Sequence, residues 1–232
     1  MEPHLSRHDN VITLDLGDGE NCFNPTSINR IGAAIDEVAS IAATDEKVGL
    51  VTTGTGKFFS NGIDLEWMFG EAAQQDQEAV ALSLTAMLGV WAQVMSLPIP
   101  TVAAVNGHAF AGGAMFALVH DHVLMRADRG FWCVNEVLLK LPLAPGMQAI
   151  IEARLPAPTA RRAILTAHRF NGPEAIAGSI ADEIHNTDDL RPRAIELARS
   201  LLPTASPALG RLKEDLYAGT LAMLREGTVP GL

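Results

Sequence analysis

The chain has 232 residues, 48% hydrophobic and 19% charged, and its 17 Lys and Arg against 27 Asp and Glu give a formal charge of −10. That length and apolar fraction suit one domain or two small ones and exclude disorder for the bulk of the chain. The acidic balance argues against a general nucleic-acid binder. Two distant cysteines, Cys22 and Cys133, argue against a disulfide scaffold and fit a reducing compartment.

Residues 1–10 carry charges and no apolar run, so no signal peptide is expected, and the final Pro230-Gly231-Leu232 is not a Ser-Lys-Leu address. The expected location is cytoplasmic. Val11 to Leu16 alternates and is rich in β-branched residues, which predicts a strand ended by Gly17-Asp18-Gly19. Thr26 is the expected cap of a helix reaching about Ala43. Val48 to Thr53 is a continuous apolar run, the pattern of a strand buried on both faces. A polar loop over 54–62 follows, and Asp64 starts a short helix.

Helical period continues from Gln75 to Met95, with Leu82, Leu84, Met87, Val90, Trp91 and Val94 expected inside, until Pro98 and Pro100 stop it. The most apolar stretch, Ile99 to Leu118, contains Asn106, His108 and many Gly and Ala. It reads as a buried strand and helix rather than a membrane span. Strands are expected at 121–125 and 131–134 around an Asp128-Arg129-Gly130 turn, and a late one at 180–184. Helices are expected near 145–154, 159–166, 173–177, 190–202 and from Pro207 onward. This order predicts an α/β protein with a helical tail, divided at about 1–185 and 186–232.

Several familiar sites fail on spacing. Gly54-Thr55-Gly56-Lys57 is followed by Phe58 and lacks the four-residue gap of a phosphate loop. No Gly-x-Gly-x-x-Gly follows the first strand, and no Gly-x-Ser-x-Gly is present. His120 and His122 around Asp121 do not form a metal motif, so no metal is expected.

Two glycine-containing loops each join a strand to a helix, at 58–65 and 105–113. Amides at a helix start lack internal acceptors, and two of them converging on one point would stabilise an oxyanion. Read singly, each loop is equally a structural turn in which glycine supplies positive φ. Glu136 closes an apolar, aromatic segment, Phe131 to Val134, where partial desolvation would raise its pKa and suit it to proton transfer, although taken alone it reads better as an exposed glutamate at a strand end.

Phe58-Phe59-Ser60-Asn61-Gly62-Ile63-Asp64-Leu65, Pro100 to Gly107 with Ala111-Gly112-Gly113, and Asn135-Glu136 together resemble the crotonase (enoyl-CoA hydratase/isomerase) superfamily. Residues 160–167 and 174–178 resemble its helical region, and the likeness runs from about residue 10 to 215. It implies a spiral of ββα units with a C-terminal helical region serving trimerisation or site cover. It also implies homotrimers or dimers of trimers. The implied ligand is an acyl-CoA thioester whose carbonyl is held by the backbone N–H groups of Ile63 and Gly112. No cofactor beyond the CoA of the substrate is implied.

Hydratases of this superfamily carry two Glu, and the first of these positions is Met115 here. Glu136 keeps the second. An Asn-Glu or Ser-Glu pair without the first Glu resembles the Δ3,Δ2-enoyl-CoA isomerases. The stretches around His120-Asp121 and Arg126 to Gly130 resemble those of plant isomerases. The expectation is an isomerase with Glu136 as its single acid/base. A hydratase of fatty-acid β-oxidation and a non-catalytic acyl-CoA binder are the alternatives, and thioester hydrolases and decarboxylases share the fold. Substrate contacts are expected from Asn61, Gly62 and a water-excluding Met115, and acyl-tunnel contacts from Trp67, Met68, Trp91 and Phe116, each of which reads equally as plain core. Lys57, Arg126 or Arg129 are candidates for the CoA phosphates, and Lys213 for its nucleotide.

Overall fold

The computed structural model describes residues 2–229, save the side chains of Ala72 and Ala73, so the expectation for Pro230 to Leu232 lies outside the described residues. Strands β1 (His4–His8), β2 (Val11–Asp15) and β3 (Gly49–Thr53) are followed by β4 (Phe58–Ser60), β5 (Thr101–Val105) and β6 (His108–Phe110). The set ends with β7 (His122–Arg126), β8 (Trp132–Cys133) and β9 (Glu183–His185). The large sheet runs β1-β2-β3-β5-β7-β9, parallel except for the β1–β2 pair, and the small parallel sheet runs β4-β6-β8.

The helices are α1 (Pro25–Ala42), α2 (Leu65–Phe69), α3 (Glu71–Gln75), α4 (Gln77–Ser96), α5 (Gly112–Leu118) and α6 (Glu136–Leu139). They continue with α7 (Pro145–Arg154), α8 (Ala157–Thr166), α9 (Gly172–Ala177), α10 (Thr187–Ser200), α11 (Pro207–Leu216) and α12 (Ala218–Glu226). The expected helix from Pro207 breaks at Tyr217 into two.

The continuous apolar runs of β2, β3 and β5 follow from burial on both faces. Val11, Val51, Val102, Ala104 and Leu124 face Leu190, Ala194 and Ala198 of α10. Their neighbours Leu50, Ala103, Val105 and Val123 face the larger core with α1 and α4. Alternation is therefore present in these strands, but both faces need apolar residues. Helix α4 alone among the described residues is long and apolar enough to cross a membrane. Its Leu84, Met87, Leu88, Trp91 and Val94 are buried in the protein core.

Three consecutive ββα turns organise the centre: β3-β4-α2, β5-β6-α5 and β7-β8-α6. In each, the first strand joins the large sheet and the second joins the small one. The small strands β4 and β6 lie where the sequence reads as loop, because two or three paired residues leave no measurable periodicity. Strand β1 was also not expected; its polar, mostly exposed residues pair only with β2. Asn24, not Thr26, caps α1: its side chain accepts from Ser27 N–H and Ser27 Oγ accepts from Asn24 N–H, with Pro25 at the first helical position. Leu82, expected inside, is exposed.

Candidate active site

The three ββα turns bring three helix starts to the ends of the small strands. In the first, Phe23 N–H donates to Gly62 O and Asp64 N–H donates to Phe23 O, 2.8 and 2.9 Å apart. That parallel bridge leaves the Ile63 amide between its two bonds. Gly62 holds φ +87°, and a side chain there would sit 2.8 Å from Ala111 Cβ and 3.0 Å from Gly112 N. Only glycine lets the two loops touch in this way.

In the second turn Ala111 adopts φ 48°, rare for a residue with a Cβ. Ala111 N–H donates to Cys133 O at 2.9 Å, which fixes the strained residue against β8. The chain then enters α5 with Gly112 as its first residue, so its amide is one of the unpaired donors of a helix start. Among the described residues neither the Ile63 nor the Gly112 amide has an acceptor within the chain. Both residues line one cavity of about 450 Å³.

The third turn supplies the carboxylate. Asn135 and Glu136 border the same cavity. Glu136 is the first residue of α6 rather than the end of a strand, and it is 9% exposed. Its Oε2 is buried with no hydrogen-bond partner, and so is Oδ1 of Asn135. Burial pushes the Glu136 carboxyl up to about 7, against a smaller opposing pull from its own backbone.

Three other carboxylates border the cavity: Glu20, Asp64 and Glu66. Asp64 caps α2, accepting from Trp67 N–H at 3.0 Å and from Asn24 Nδ2 at 3.3 Å. Glu20 is exposed and accepts from Asn61 Nδ2 at 3.0 Å, and Glu66 is exposed. Glu136 is thus the buried carboxylate of the cavity with an unused oxygen. Cys22 also borders it, but burial and the charges of Glu20 and Asp64 push its thiol up to about 12, so it stays protonated at neutral pH. The remaining wall is apolar, with Leu65, Met68, Leu84, Leu139, Met147 and Val229 among its residues.

The family model described as enoyl-CoA hydratase/isomerase matches residues 8–228. The chain belongs to the enoyl-CoA hydratase/isomerase family. Enoyl-CoA delta isomerase 1, peroxisomal, of Arabidopsis thaliana is 34% identical over 223 residues, covering 94% of this chain and 90% of that one. Enoyl-CoA delta isomerase 3 of the same plant is 38% identical over 182 residues, covering 77% and 74%. Among solved structures, an apo enoyl-CoA isomerase of Mycobacterium tuberculosis superposes with TM-score 0.86 at 28% identity, covering 97% and 95%. An enoyl-CoA hydratase from Mycobacterium ulcerans superposes with TM-score 0.87 at 26% identity, covering 98% and 96%. The chain is therefore an enzyme of the crotonase fold, and its sequence relatives favour isomerase over hydratase.

Within this family fold, several expected contacts fall elsewhere. Met115 and Phe116 are fully buried on α5 and take no part in the cavity wall. Phe116 packs against Phe23, Phe59 and Trp91, so it and Trp91 are core. Trp67 packs on the core while its neighbour Met68 reaches the cavity. Helical geometry explains the difference, since adjacent residues point about 100° apart.

Lys213 does not reach toward a nucleotide. Its Nζ is buried and donates to Asp121 Oδ2 at 2.7 Å and to Ile99 O at 2.8 Å. Lys57 is exposed outside the cavity wall, with Nζ 5.2 Å from the Phe58 ring centre. Arg126 pairs with Asp128 at 2.8 Å. Asn61 and Gly62 do stand at the site, Asn61 on the wall and Gly62 in the contact between loops. The Leu139–Met147 side of the cavity and Val229 carry no local signal in the sequence, because distant segments form that wall.

Proposed function

We propose that this enzyme is a Δ3,Δ2-enoyl-CoA isomerase in which Glu136 is the single acid/base and the Ile63 and Gly112 amides form the oxyanion hole. The carrying observation is the buried Glu136 carboxylate, its Oε2 without a partner, in one cavity with two amides that lack acceptors. The thioester carbonyl oxygen would accept from both amides. Those bonds strengthen as charge gathers on oxygen, so they lower the barrier rather than merely tightening binding.

Ionised Glu136 takes a proton from C2, and the C–H electrons delocalise into a dienolate over oxygen and C4. Protonated Glu136 then delivers that proton to C4, the double bond comes to rest between C2 and C3, and the carboxylate is restored. A carboxyl near pKa 7 suits both halves of the cycle, because it is neither too weak a base nor too weak an acid at neutral pH. Hydration would need a second group to position water. The neighbouring carboxylates are exposed or already committed, and Met115 offers no acid or base.

The chemistry calls on no group beyond the CoA of the substrate. The apolar wall around Met68, Leu84 and Met147 is suited to the acyl chain. Assembly into trimers or dimers of trimers is part of this reading, supported by exposed Leu138 on α6 and Leu165 on α8.

The test is paired ultraviolet assays. A 3-enoyl-CoA should gain the absorbance of the conjugated 2-enoyl thioester, and 2-enoyl-CoA in parallel should lose little of it. Rapid loss in the second sample would make the protein a hydratase, and binding without change in either would favour a binder.

A further inference from the structure

Asn is among the best residues for capping a helix through its side-chain oxygen. Asn135 occupies the cap position of α6, with φ −105° and ψ 12°, yet its side chain makes no capping bond. Its Oδ1 is instead buried without any donor, and the residue borders the cavity. The next residue presents a second buried oxygen without a donor, Glu136 Oε2. Two such acceptors on consecutive residues of one cavity wall are costly, because each forfeits the hydrogen bonds it had in water. A proton on the carboxyl would turn Oε2 into a donor, and Oδ1 of the preceding residue on the same cavity wall is an acceptor with no donor of its own.

We infer that Asn135 is a positioning residue for the proton in transit, its Oδ1 accepting a hydrogen bond from Glu136 Oε2–H while the dienolate waits for protonation at C4. This rests on the isomerase reading above. The proton leaves C2 for Oε2, is held by Oδ1 without being transferred to it, and passes from Oε2 to C4, so no proton is gained or lost. The arrangement keeps the abstracted hydrogen from exchanging with solvent. It also favours the neutral acid over the carboxylate, adding to burial. The other titratable groups around the cavity are Glu20, Cys22, Asp64 and Glu66, and Cys133 on β8 senses the Glu136 charge. None of them ranks among the causes that raise Glu136; burial does.

The experiment follows isomerisation of a 3-enoyl-CoA in D2O and measures how much of the C2 hydrogen reappears at C4, alongside the pH profile of kcat in H2O. For Asn135→Ala the fraction retained should fall at least about threefold, and the midpoint of the profile should move down by about 0.5–1 pH, the worth of one neutral hydrogen bond. Asn135→Leu keeps the volume and should show the same two changes if the alanine variant folds poorly. Asn135→Ser keeps an oxygen and should lie nearer the wild type on both.

An apolar variant with unchanged retention and midpoint would overturn the inference, even if it were slower. So would a serine variant no better than alanine, or a wild type that exchanges fully. Failure of the isomerase reading looks different: the wild type would not isomerise, or Glu136→Gln would remain active.

Discussion

The second and third ββα turns share one topology but present different chemistry to one cavity. After β6, a strained Ala111 leads into α5, whose first turn is wholly apolar and buried, and the turn offers only a backbone amide at Gly112. After β8, the chain enters α6, a single turn that places the Glu136 carboxyl inside and leaves Val137, Leu138 and Leu139 exposed. The repeated backbone supplies helix starts at a common point. What each start does is set by which atom it leaves unpaired: an amide in one turn, a carboxylate oxygen in the other.

Removing the carboxylate should have the largest effect. Glu136→Gln keeps the shape and hydrogen-bonding capacity but cannot take a proton, and isomerisation should fall ~10²–10⁴-fold with little change in acyl-CoA binding. Equal kcat in the two proteins would mean that the third turn is not where the chemistry happens.

The amide side can be broken through Gly62. Gly62→Ala places a Cβ against Ala111 and Gly112 at a positive φ and should push the two loops apart. Loss of one oxyanion donor costs on the order of 10²–10³ in kcat. The stability of this variant should be measured by denaturant melt, so that kcat is compared only among folded molecules.

Away from both turns, Lys213→Ala removes the cation beside Asp121, whose partly exposed carboxylate then keeps the Thr101 N–H, and should lower stability by about 1–3 kcal/mol. The KM for acyl-CoA of the folded fraction should not change. A raised KM with full stability would restore the nucleotide role expected from the sequence.

A smaller effect sharpens the contrast between amide and carboxylate. Glu136 has a folded pKa of about 7, above its ordinary 4.5, so the folded state favours the proton. The folded protein is penalised as pH rises from 4.5 through 7, by at most about 3 kcal/mol above that range. Glu136→Gln should therefore match the wild type in Tm at pH 5 and exceed it at pH 8. An equal gap at both pH values would show that the carboxyl is not held in a desolvated place.

Much of this was legible in the sequence. Val48 to Thr53 and the start of the Ile99–Leu118 stretch read as buried strands because both faces of the sheet are covered, and Asp64 reads as a cap because aspartate is favoured just before a helix. Glu136 stands out by its apolar, aromatic setting, the Ile63 and Gly112 amides follow from the family resemblance, and the structure brings all three to one cavity. What the sequence hid was long-range. Lys213 looks like a nucleotide contact until Asp121 is seen beside it, and Phe116 looks like a tunnel residue until Phe23, Phe59 and Trp91 surround it. The small-sheet strands are too short to carry a period, and nothing local to Asn135 shows that its oxygen lies buried and unpaired.

The most direct test of a single carboxyl acting as both base and acid is the pH dependence of kcat/KM for 3-enoyl-CoA isomerisation between pH 5 and 9. One ionisation is expected, with activity rising through about pH 7 as Glu136 loses its proton and then holding level. A bell with a second essential group protonated near neutrality, or activity that falls as pH rises through 7, would contradict it.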